Sequence, residues 1–331
     1  MKVKIAVDAM GGDYAPLVVV KGAELAVKEN NDIEVLLIGR EEVIRKYLGT
    51  RERIRIVPAQ EVIDMDEPPV LSVKKKPASS INCGIKLLKD GQAEVFLSAG
   101  NTGAVVASAT LFLRTIPGVE RPGIAIIFPT IRGFCLLIDA GANIDPKPEH
   151  LLDYGIMGVA YAELILGKEN PTVGLLNIGE EETKGPEFLK ETLRLLKDTQ
   201  LNFTGNIEGR DIFLGKCDVI VADGFVGNVA LKVSESVAIA GGYLLKKHIK
   251  RGFLSKLGGL LLKPSLNRLK KELDYTEYGG APLLGVNGNV IICHGSSSAK
   301  AVKNAIKVAK EVVDKKVNER IKQRLELKVK R

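Results

Sequence analysis

Short apolar runs rich in β-branched residues recur along the chain and alternate with stretches of helical periodicity. The runs of strand character are residues 4–9, 33–39, 54–59, 94–100, 124–128, 134–141, 172–179, 217–224 and 289–295. The stretches with apolar residues at helical spacing are 16–29, 78–89, 101–113, 149–167, 186–198, 226–247 and 298–325. This alternation predicts an α/β fold in which helices cover both faces of a largely parallel sheet.

The domain organisation follows from the length of the chain and the evenness of this pattern. The chain has 331 residues, of which 45% are hydrophobic, and this is enough to bury a large core. No internal repeat, low-complexity tract or linker rich in Pro, Gly or Ser interrupts the pattern. We therefore expect a single αβα domain over residues 1–331.

Composition also bears on location and redox state. The N-terminal stretch MKVKIAVDAMGGD lacks the apolar centre of a signal peptide, and no run approaches the roughly 18 apolar residues of a membrane span. The four cysteines, Cys83, Cys135, Cys217 and Cys293, are far apart and lie in apolar segments. We expect a cytoplasmic protein with buried, unpaired thiols.

Loops of small and polar residues follow six of the predicted strands. These loops are DAMGGD (8–13), SAGNTGA (98–104), DAGAN (139–143), NIGEEETKG (177–185), DGFVGN (223–228) and HGSSS (294–298). Because loops after the carboxyl ends of parallel strands share one edge of a sheet, we expect all six to meet in one crevice. Glycine lets the backbone approach a ligand closely, since it has no Cβ.

The chemistry of these loops indicates a compact anion. No P-loop, G-x-G-x-x-G, H-E-x-x-H or G-x-S-x-G motif is present, so nucleotide, zinc and acyl-serine chemistry are disfavoured, and we predict no cofactor and no metal. What remains are amides, hydroxyls, helix N-termini and the loop cation Lys184, which suit phosphate. The predicted phosphate- or substrate-binding residues are Asp8, Gly11, Gly12, Ser98, Gly100, Asn101, Thr102, Gly103, Asp139, Asn143, Asn177, Asp223, Gly227, His294, Gly295 and Ser296.

Several of these motifs resemble a known enzyme family over nearly the full length of the chain. They are VDAMGGDYAP (7–16), SAGNTGA, DAGAN, NIGEEETKG, GNIEGRD (205–211), ADGFVGNVALK (222–232), YGGAPLLGV (278–286) and HGSS. The chain resembles the acyl-(acyl carrier protein):phosphate acyltransferases of bacterial phospholipid synthesis, the PlsX family. One departure is Pro186, which stands after ETKG where a polar residue is expected, and which makes the start of the next helix less regular.

This resemblance implies a fold, a reaction and two catalytic residues. The fold is a three-layer, Rossmann-like αβα fold related to phosphotransacetylase and isopropylmalate dehydrogenase. The reaction is attack of inorganic phosphate on a long-chain acyl carrier protein thioester, in a homodimer, which supplies acyl phosphate to a membrane glycerol-3-phosphate acyltransferase. In the matching motifs, Lys184 would neutralise phosphate or the developing charge, and Asn228 would donate to the thioester oxygen.

Each of these residues also has a purely structural interpretation. Lys184 is also explained as a solvated charge beside three glutamates, and Asn228 as the cap of the following helix. His294 is either a structural histidine or a phosphate ligand in its protonated form. Asp8, Asp13 and Asp139 are the types of residue that shape turns.

A basic segment stands apart from the rest of the sequence. No acidic residue lies between Glu235 and Glu272, where nine Lys and Arg residues exceed the net charge of +8 of the whole chain. Within this segment, Phe253, Leu254, Leu257, Leu260 and Leu261 form an apolar stripe beside Arg251. The stripe indicates either a core or dimer helix pair broken at Gly258, Gly259 and Pro264, or a helical protrusion over residues 244–275. Such a protrusion would contact an anionic membrane or the acidic carrier protein.

Two other functions fit the same residues. One is a phosphotransacetylase-like enzyme that uses acyl-CoA, and the other is a non-catalytic module that binds an anion or a carrier protein. A metal-dependent NAD dehydrogenase is less favoured because the sequence has no compact Asp cluster. We expect no nucleic-acid partner, since the positive charge is confined to one segment.

Overall fold

The computed structural model describes residues 2–50, 52–273 and 279–329, without the side chains of residues 253, 254, 267, 269–273 and 327–329. The described strands are β1 (Val3–Asp8), β2 (Ile33–Gly39), β3 (Ile54–Pro58), β4 (Val95–Ser98), β5 (Gly123–Thr130), β6 (Gly133–Ile138), β7 (Thr172–Leu176), β8 (Asn202–Ile207), β9 (Val219–Val221), β10 (Ala281–Leu284) and β11 (Asn289–Ile292). The described helices are α1 (Leu17–Glu29), α2 (Glu41–Arg45), α3 (Pro69–Lys75), α4 (Ser80–Lys89), α5 (Thr102–Phe112), α6 (Pro148–Ile165), α7 (Glu187–Lys197), α8 (Asp211–Leu214), α9 (Gly224–Ile249), α10 (Phe253–Leu273), α11 (Ala299–Asp314) and α12 (Val317–Val329).

The strands form one sheet with a hydrophobic core on each face. Ile5 and Val7 of β1 point to one face, where they pack with α1, α6, α11 and α12. Ala6 and Phe96 point to the other face, where they pack with α4 and α5. Successive side chains of a strand point to opposite faces of the sheet. A buried strand with apolar residues at both odd and even positions therefore needs helices on both sides. The predicted three-layer αβα fold is confirmed.

Every predicted strand is found, and two more complete the sheet. β8 has the sequence NFTGNI, in which polar residues hide the strand pattern, and it lies at the edge of the sheet. β10 is only four residues long and contains Pro282. The helix predicted over 298–325 is two helices, α11 and α12, which are separated at Lys315 and Lys316, where Lys316 has a φ of 51°.

The direction of the strands corrects one expectation. The strand order is β3-β2-β1-β4-β11-β10-β5-β6-β9-β7-β8. The first five are mutually parallel and so are the last four, but β10, β5 and β6 pair antiparallel in the middle. The two parallel halves therefore run in opposite directions, and the six loops do not share one edge of the sheet.

The register of the central strands nevertheless brings the loops of the two halves together. The pairs that set this register are Ile292 with Ala281, Leu283 with Ile124, and Ala125 with Ile138. These pairs place the carboxyl end of β11 and the carboxyl end of β6 at nearly the same position along the strand axis. The carboxyl ends of the two halves thus approach the centre of the sheet from opposite directions, and α9 begins there.

Beyond its first turn, α9 leaves the core. Gly224 and Gly227 are its buried residues, and positions 228–250 are half-buried or exposed. α10 follows after a short break and is continuous through Gly258, Gly259 and Pro264, so the helix break predicted there is wrong. None of the helices in the described ranges combines the length and the apolar content that a membrane crossing requires.

Candidate functional site

Three loops of the first half of the sheet pack backbone against backbone. A Cβ on Gly11 would lie 2.6 Å from the amide nitrogen of Gly100, and a Cβ on Gly12 would lie 2.9 Å from the carbonyl oxygen of Gly295. Gly12 also has a φ of +102°, which side chains with a Cβ rarely adopt. The amide of Asp13 donates to the Gly295 carbonyl at 2.8 Å. The predicted meeting of the loops after β1, β4 and β11 is confirmed.

The buried side chain of Asp8 connects the loop after β1 to the loop after β4. Its Oδ2 accepts from Ser98 Oγ at 2.7 Å, and Ser98 Oγ in turn accepts from the amide of Gly100 at 3.0 Å. Burial raises the pKa of Asp8 above its ordinary value, against the opposing effect of hydrogen bonds from Ser98 and neighbouring groups. Asp8 and Ser98 thus shape the turn, while their predicted contact with a ligand stays a prediction.

Asn101 connects the start of α5 to the loop before α3. Its Oδ1 caps the helix by accepting from the amide of Ala104 at 3.0 Å. Its Nδ2 lies within hydrogen-bond distance of the carbonyl oxygens of Asp64, Met65 and Glu67, at 3.1 to 3.2 Å. Both ends of the amide are therefore engaged by the backbone. Beside it, a Cβ on Gly103 would lie 2.6 Å from Pro69.

Asp139 has the corresponding role in the second half of the sheet. Its Oδ1 accepts from the amides of Ile124, Gly141 and Ala142 at 2.9 to 3.1 Å, and its Oδ2 accepts from the amide of Asn143 at 2.7 Å. Burial raises the pKa of Asp139, while these four amides act in the opposite direction. The carboxylate organises the loop after β6.

The start of α9 packs closely on this loop. Asp223 caps the helix by accepting from the amide of Val226 at 2.9 Å. The amide of Gly224 donates to the carbonyl of Asn143 at 2.8 Å, and a Cβ on Gly227 would overlap the carbonyl oxygen of Asp139. The Asn143 side chain donates to Pro122 and Tyr154. This packing presents Asn228, whose side chain is exposed one residue later.

Lys184 lies on the exposed loop after β7. Asn177 holds this loop by donating from Nδ2 to the Lys184 carbonyl at 3.2 Å, while its Oδ1 accepts from the amide of Ile178 at 2.8 Å. Gly185 follows with a φ of +83°. Asn177 thus holds its own loop, while its predicted contact with substrate stays a prediction.

Two of the three glutamates beside Lys184 have partners elsewhere. Glu180 pairs with Lys216 at 2.7 Å, and Glu182 pairs with Lys197. These two carboxylates are therefore not held by Lys184. The loop keeps an exposed ammonium at the carboxyl end of β7, on the same side of the sheet as the loops after β6 and β9.

A cavity of about 170 Å³ lies between the two halves of the sheet, and we call it the Asn228 cavity. Its apolar lining includes Ile124, Ile126 and Ile292. Its polar lining residues are Thr102, Asn228, Lys232, Glu235, His294 and Ser297. Thr102 and His294 come from the first half of the sheet and Asn228 from the second, so the cavity joins loops from both directions. Lys184 is not among its lining residues.

Cys293 also lines this cavity, and its thiol is buried. Burial raises the pKa of its thiol to about 12, so the thiol stays protonated near neutral pH. Cys135 and Cys217 are likewise buried and free, while Cys83 is half-buried and free. The prediction of unpaired thiols is confirmed, but the prediction that all four are buried is wrong for Cys83. Within the described ranges, no three His, Cys, Asp or Glu residues are grouped so as to hold a metal ion.

Comparison with known proteins identifies the family. A model of the family described as "Fatty acid synthesis protein" matches residues 3–320. A phosphate acyltransferase of Desulfitobacterium hafniense (strain DSM 10664 / DCB-2) is 53% identical over 309 residues, which are 92% of each chain. A phosphate acyltransferase of Caldanaerobacter subterraneus subsp. tengcongensis is 49% identical over 304 residues, also 92% of each chain.

The chain belongs to the fatty acid synthesis protein family. As a member of this family with close relatives named as acyltransferases, it is an acyltransferase enzyme. The expected relationship to the phosphate acyltransferases is therefore confirmed at the level of the family.

Solved structures of other proteins have a similar fold. A phosphotransacetylase from Streptococcus pyogenes matches with a TM-score of 0.64 and 19% identity over 94% of both chains. A branched-chain phosphotransacylase from Enterococcus faecalis V583 matches with a TM-score of 0.58 and 17% identity, over 94% of this chain and 99% of the other. At these identities the likeness concerns the fold alone.

Two polar residues of the Asn228 cavity, Lys232 and Glu235, are not among the site residues predicted from the sequence. Lys232 and Glu235 stand four and seven residues after Asn228, so they lie on the same face of α9. This spacing could have revealed them, because any helix that begins at a ligand-binding loop presents the same face one and two turns later. Among the predicted residues, Thr102, Asn228 and His294 line the cavity directly.

Proposed function

We propose that the protein forms acyl phosphate by transferring a long-chain acyl group from acyl carrier protein to inorganic phosphate. The observation that supports this most directly is the lining of the Asn228 cavity, where apolar side chains lie beside hydrogen-bond donors. The apolar lining suits the part of an acyl chain next to the thioester, and N–H and O–H donors suit the oxygens of phosphate and of a thioester. The names of the relatives support phosphate as the acyl acceptor.

The reaction needs no covalent enzyme intermediate. An oxygen of hydrogen phosphate attacks the thioester carbon, the C–S bond breaks with its electron pair on sulfur, and the phosphate proton ends on the thiol. Hydrogen phosphate is already an anion, so it needs no activated serine or cysteine. The protonated Cys293 is not suited to act as a nucleophile, which also favours direct attack.

Two residues act on the reacting groups in this proposal. Asn228 donates to the thioester oxygen, on which negative charge develops, and it lies beside Gly141, where a Cβ would stand 3.5 Å from the Asn228 Cγ. Lys184 supplies a cation for phosphate from the exposed loop after β7. Positioning phosphate against the thioester supplies the rest of the acceleration, because attack then becomes effectively unimolecular.

The exposed face of α9 supports a homodimer. Val229, Val233 and Val237 are 47%, 56% and 65% exposed, and they follow one another along one strip of the helix. Apolar surface of this kind is normally covered in a soluble protein. A second copy of the chain would cover it with the same strip, as a two-fold interface does.

The basic segment supports contact with a membrane. Leu257, Leu260 and Leu261 are 49%, 65% and 75% exposed, and Arg251 nearby is exposed as well. The side chains of Phe253 and Leu254 lie outside the described residues. Exposed leucines bordered by cations suit an anionic bilayer surface. Binding there would pass acyl phosphate to a membrane glycerol-3-phosphate acyltransferase, and the cytoplasmic protein would be peripherally attached.

Turnover of acyl carrier protein thioesters tests this function. The purified protein is incubated with phosphate and a long-chain acyl-(acyl carrier protein), and acyl phosphate is trapped with hydroxylamine as the hydroxamate. We expect a phosphate-dependent hydroxamate, formed more efficiently than from the matching acyl-CoA. Preference for acyl-CoA would indicate a phosphotransacetylase-like enzyme, and absence of product from both donors would contradict the reaction.

A further inference from the structure

Three side chains on one face of α9 line the Asn228 cavity. Asn228, Lys232 and Glu235 are spaced at i, i+4 and i+7, which places them one above another along the helix. The first is the proposed donor to the thioester. The other two are an ammonium and a carboxylate to which the proposed reaction assigns no role.

Lys232 is held between two acceptors. Its Nζ lies 3.1 Å from Nε2 of His294 and 3.1 Å from Oε2 of Glu235. An ammonium only donates, so Nε2 of His294 accepts from Lys232, while Nδ1 of His294 lies 2.7 Å from Ser296 Oγ and 3.2 Å from the Ser296 amide nitrogen. These contacts use two of the three N–H donors of Lys232. The third is available to a group in the cavity.

Glu235 leaves one oxygen without a hydrogen bond. Its side chain is 14% exposed, and Oε1 is buried with no hydrogen-bond partner among the described residues. A buried carboxylate oxygen without a donor is costly, because it has lost water and gained nothing in exchange. Such an acceptor beside a ligand cavity suits a ligand that brings its own N–H or O–H.

An ammonium donor next to a carboxylate acceptor suits an oxyanion that carries a proton. Hydrogen phosphate accepts hydrogen bonds with its charged oxygens and donates one from its hydroxyl. Sulfate has the same shape but no proton at neutral pH, so a carboxylate repels it without compensation. The pair therefore has the chemistry to separate the two anions.

We propose that Lys232 and Glu235 form the hydrogen phosphate site of the Asn228 cavity. Lys232 donates to a charged phosphate oxygen, Glu235 Oε1 accepts from the phosphate hydroxyl, and His294 keeps Lys232 in position. The identity of the anion as the acyl acceptor rests on the proposed function. The site itself is a specificity device that selects phosphate over sulfate.

Competition between the two anions tests this site. Binding of radiolabelled phosphate to the full-length protein is measured by equilibrium dialysis with sulfate as competitor. We expect wild type to prefer phosphate, and Glu235→Gln to reduce that preference about tenfold to a hundredfold, as expected for a hydrogen bond to a charged group. Lys232→Gln should weaken the binding of phosphate and of sulfate to the same extent, because it removes an attraction that both anions share.

Control variants separate this effect from damage to the fold. Glu41→Gln removes a carboxylate from the exposed Arg45 ion pair of α2, and it should keep the wild-type preference. If Glu235→Gln does not fold, Glu235→Asp replaces it, because the shorter side chain keeps the charge but withdraws the oxygen. A folded Glu235 variant with wild-type preference for phosphate overturns the site.

The possible outcomes distinguish this site from the proposed function. Acyl phosphate formation together with unchanged anion preference in Glu235→Gln would leave the function standing and reject the site. Preference for phosphate that depends on Glu235, without any acyl phosphate formation, would support the site and reject the proposed function. If Glu235→Gln raises the KM for the acyl carrier protein alone, Oε1 accepts from the carrier's prosthetic arm, and the phosphate site is wrong.

Discussion

Nζ of Lys232 lies 3.1 Å from Nε2 of His294, although 62 residues separate them in the sequence. This contact joins α9, which starts at the end of β9, to the loop after β11. The two loops belong to halves of the sheet that run in opposite directions. The contact therefore spans the centre of the sheet, beside the cavity where we propose that the acyl group is transferred.

Replacement of Asn228 tests the proposed oxyanion donor. We expect Asn228→Ala to lower turnover by about 10² to 10³, because a donor that acts on the developing charge is lost. The KM for phosphate should change little, and the melting temperature should stay near that of wild type, since the side chain is exposed. Asn31→Ala, at an exposed turn before β2, is the matched control. Undiminished acyl phosphate formation by Asn228→Ala would remove this residue from the mechanism.

Replacement of Lys184 tests the predicted cation. We expect Lys184→Ala to reduce kcat/KM for phosphate about tenfold to a hundredfold, the usual worth of a hydrogen bond to a charged group. Lys190→Ala is the control, because Lys190 is paired with Glu187 on the following helix. Steady-state kinetics with varied phosphate gives the comparison, and equal values for the two variants would make Lys184 a solvated loop charge.

Replacement of Gly227 tests the close packing that presents Asn228. A Cβ at this position would overlap the carbonyl oxygen of Asp139, so Gly227→Ala has to displace the start of α9. We expect a loss of about 1–3 kcal/mol in the free energy of unfolding together with a loss of activity. Gly209→Ala meets no atom within 4 Å and should stay within about 0.5 kcal/mol of wild type. Denaturant titration measures both, and equal stability of the two variants would contradict the packing.

The buried Asp8 predicts a dependence of stability on pH. Its pKa is raised from 3.8 by burial, so between that value and the raised one the folded protein binds more protons than the unfolded chain. Its contribution to stability therefore falls as pH rises through this window. Asp8→Asn has no charge to bury, and its stability relative to wild type should increase over the same window.

Urea denaturation at a series of pH values measures this difference. Asp32→Asn makes the same chemical change at an exposed position and gives the baseline. A stability difference between Asp8→Asn and wild type that decreases with pH would show that the folded state favours the charged carboxylate.

The membrane proposal depends on the exposed leucines of α10. We expect Leu257→Glu to abolish sedimentation with vesicles of anionic lipid while activity on soluble substrates is kept, because a carboxylate replaces apolar surface that would enter the bilayer. Leu214→Glu changes an exposed leucine of α8 and should bind vesicles as wild type does. If Leu257→Glu binds vesicles normally but loses activity with acyl carrier protein, this surface docks the carrier instead.

The layer architecture was predictable because it depends on local patterns. The strand β2, with the sequence IEVLLIG, is buried along nearly its whole length, and this produces a continuous apolar run. β8 and β10 were not predictable in this way. Polar residues interrupt β8, and β10 is short and contains Pro282, so their pairing depends on neighbouring strands rather than on their own residues.

The candidate site was predictable in part for a related reason. The loops can be recognised in the sequence because glycines and polar residues follow the strands. Gly11 and Gly12 are required there, because any side chain would disturb the close contacts of the backbone. Lys232 and Glu235 carry no such signal, because Lys and Glu are ordinary residues on the surface of a helix. Their position beside His294 depends on how α9 crosses the sheet.

The sequence by itself determined the α/β alternation, the loops that end the strands, and the resemblance to phosphate acyltransferases. The tertiary structure alone decided that the sheet has two halves of opposite direction and that Thr102, Asn228 and His294 line one cavity. The physical reason is the range of the interactions. Periodicity and turn chemistry act between residues close in sequence, whereas strand direction and side-chain contacts across the sheet depend on pairing between segments that are far apart in the chain.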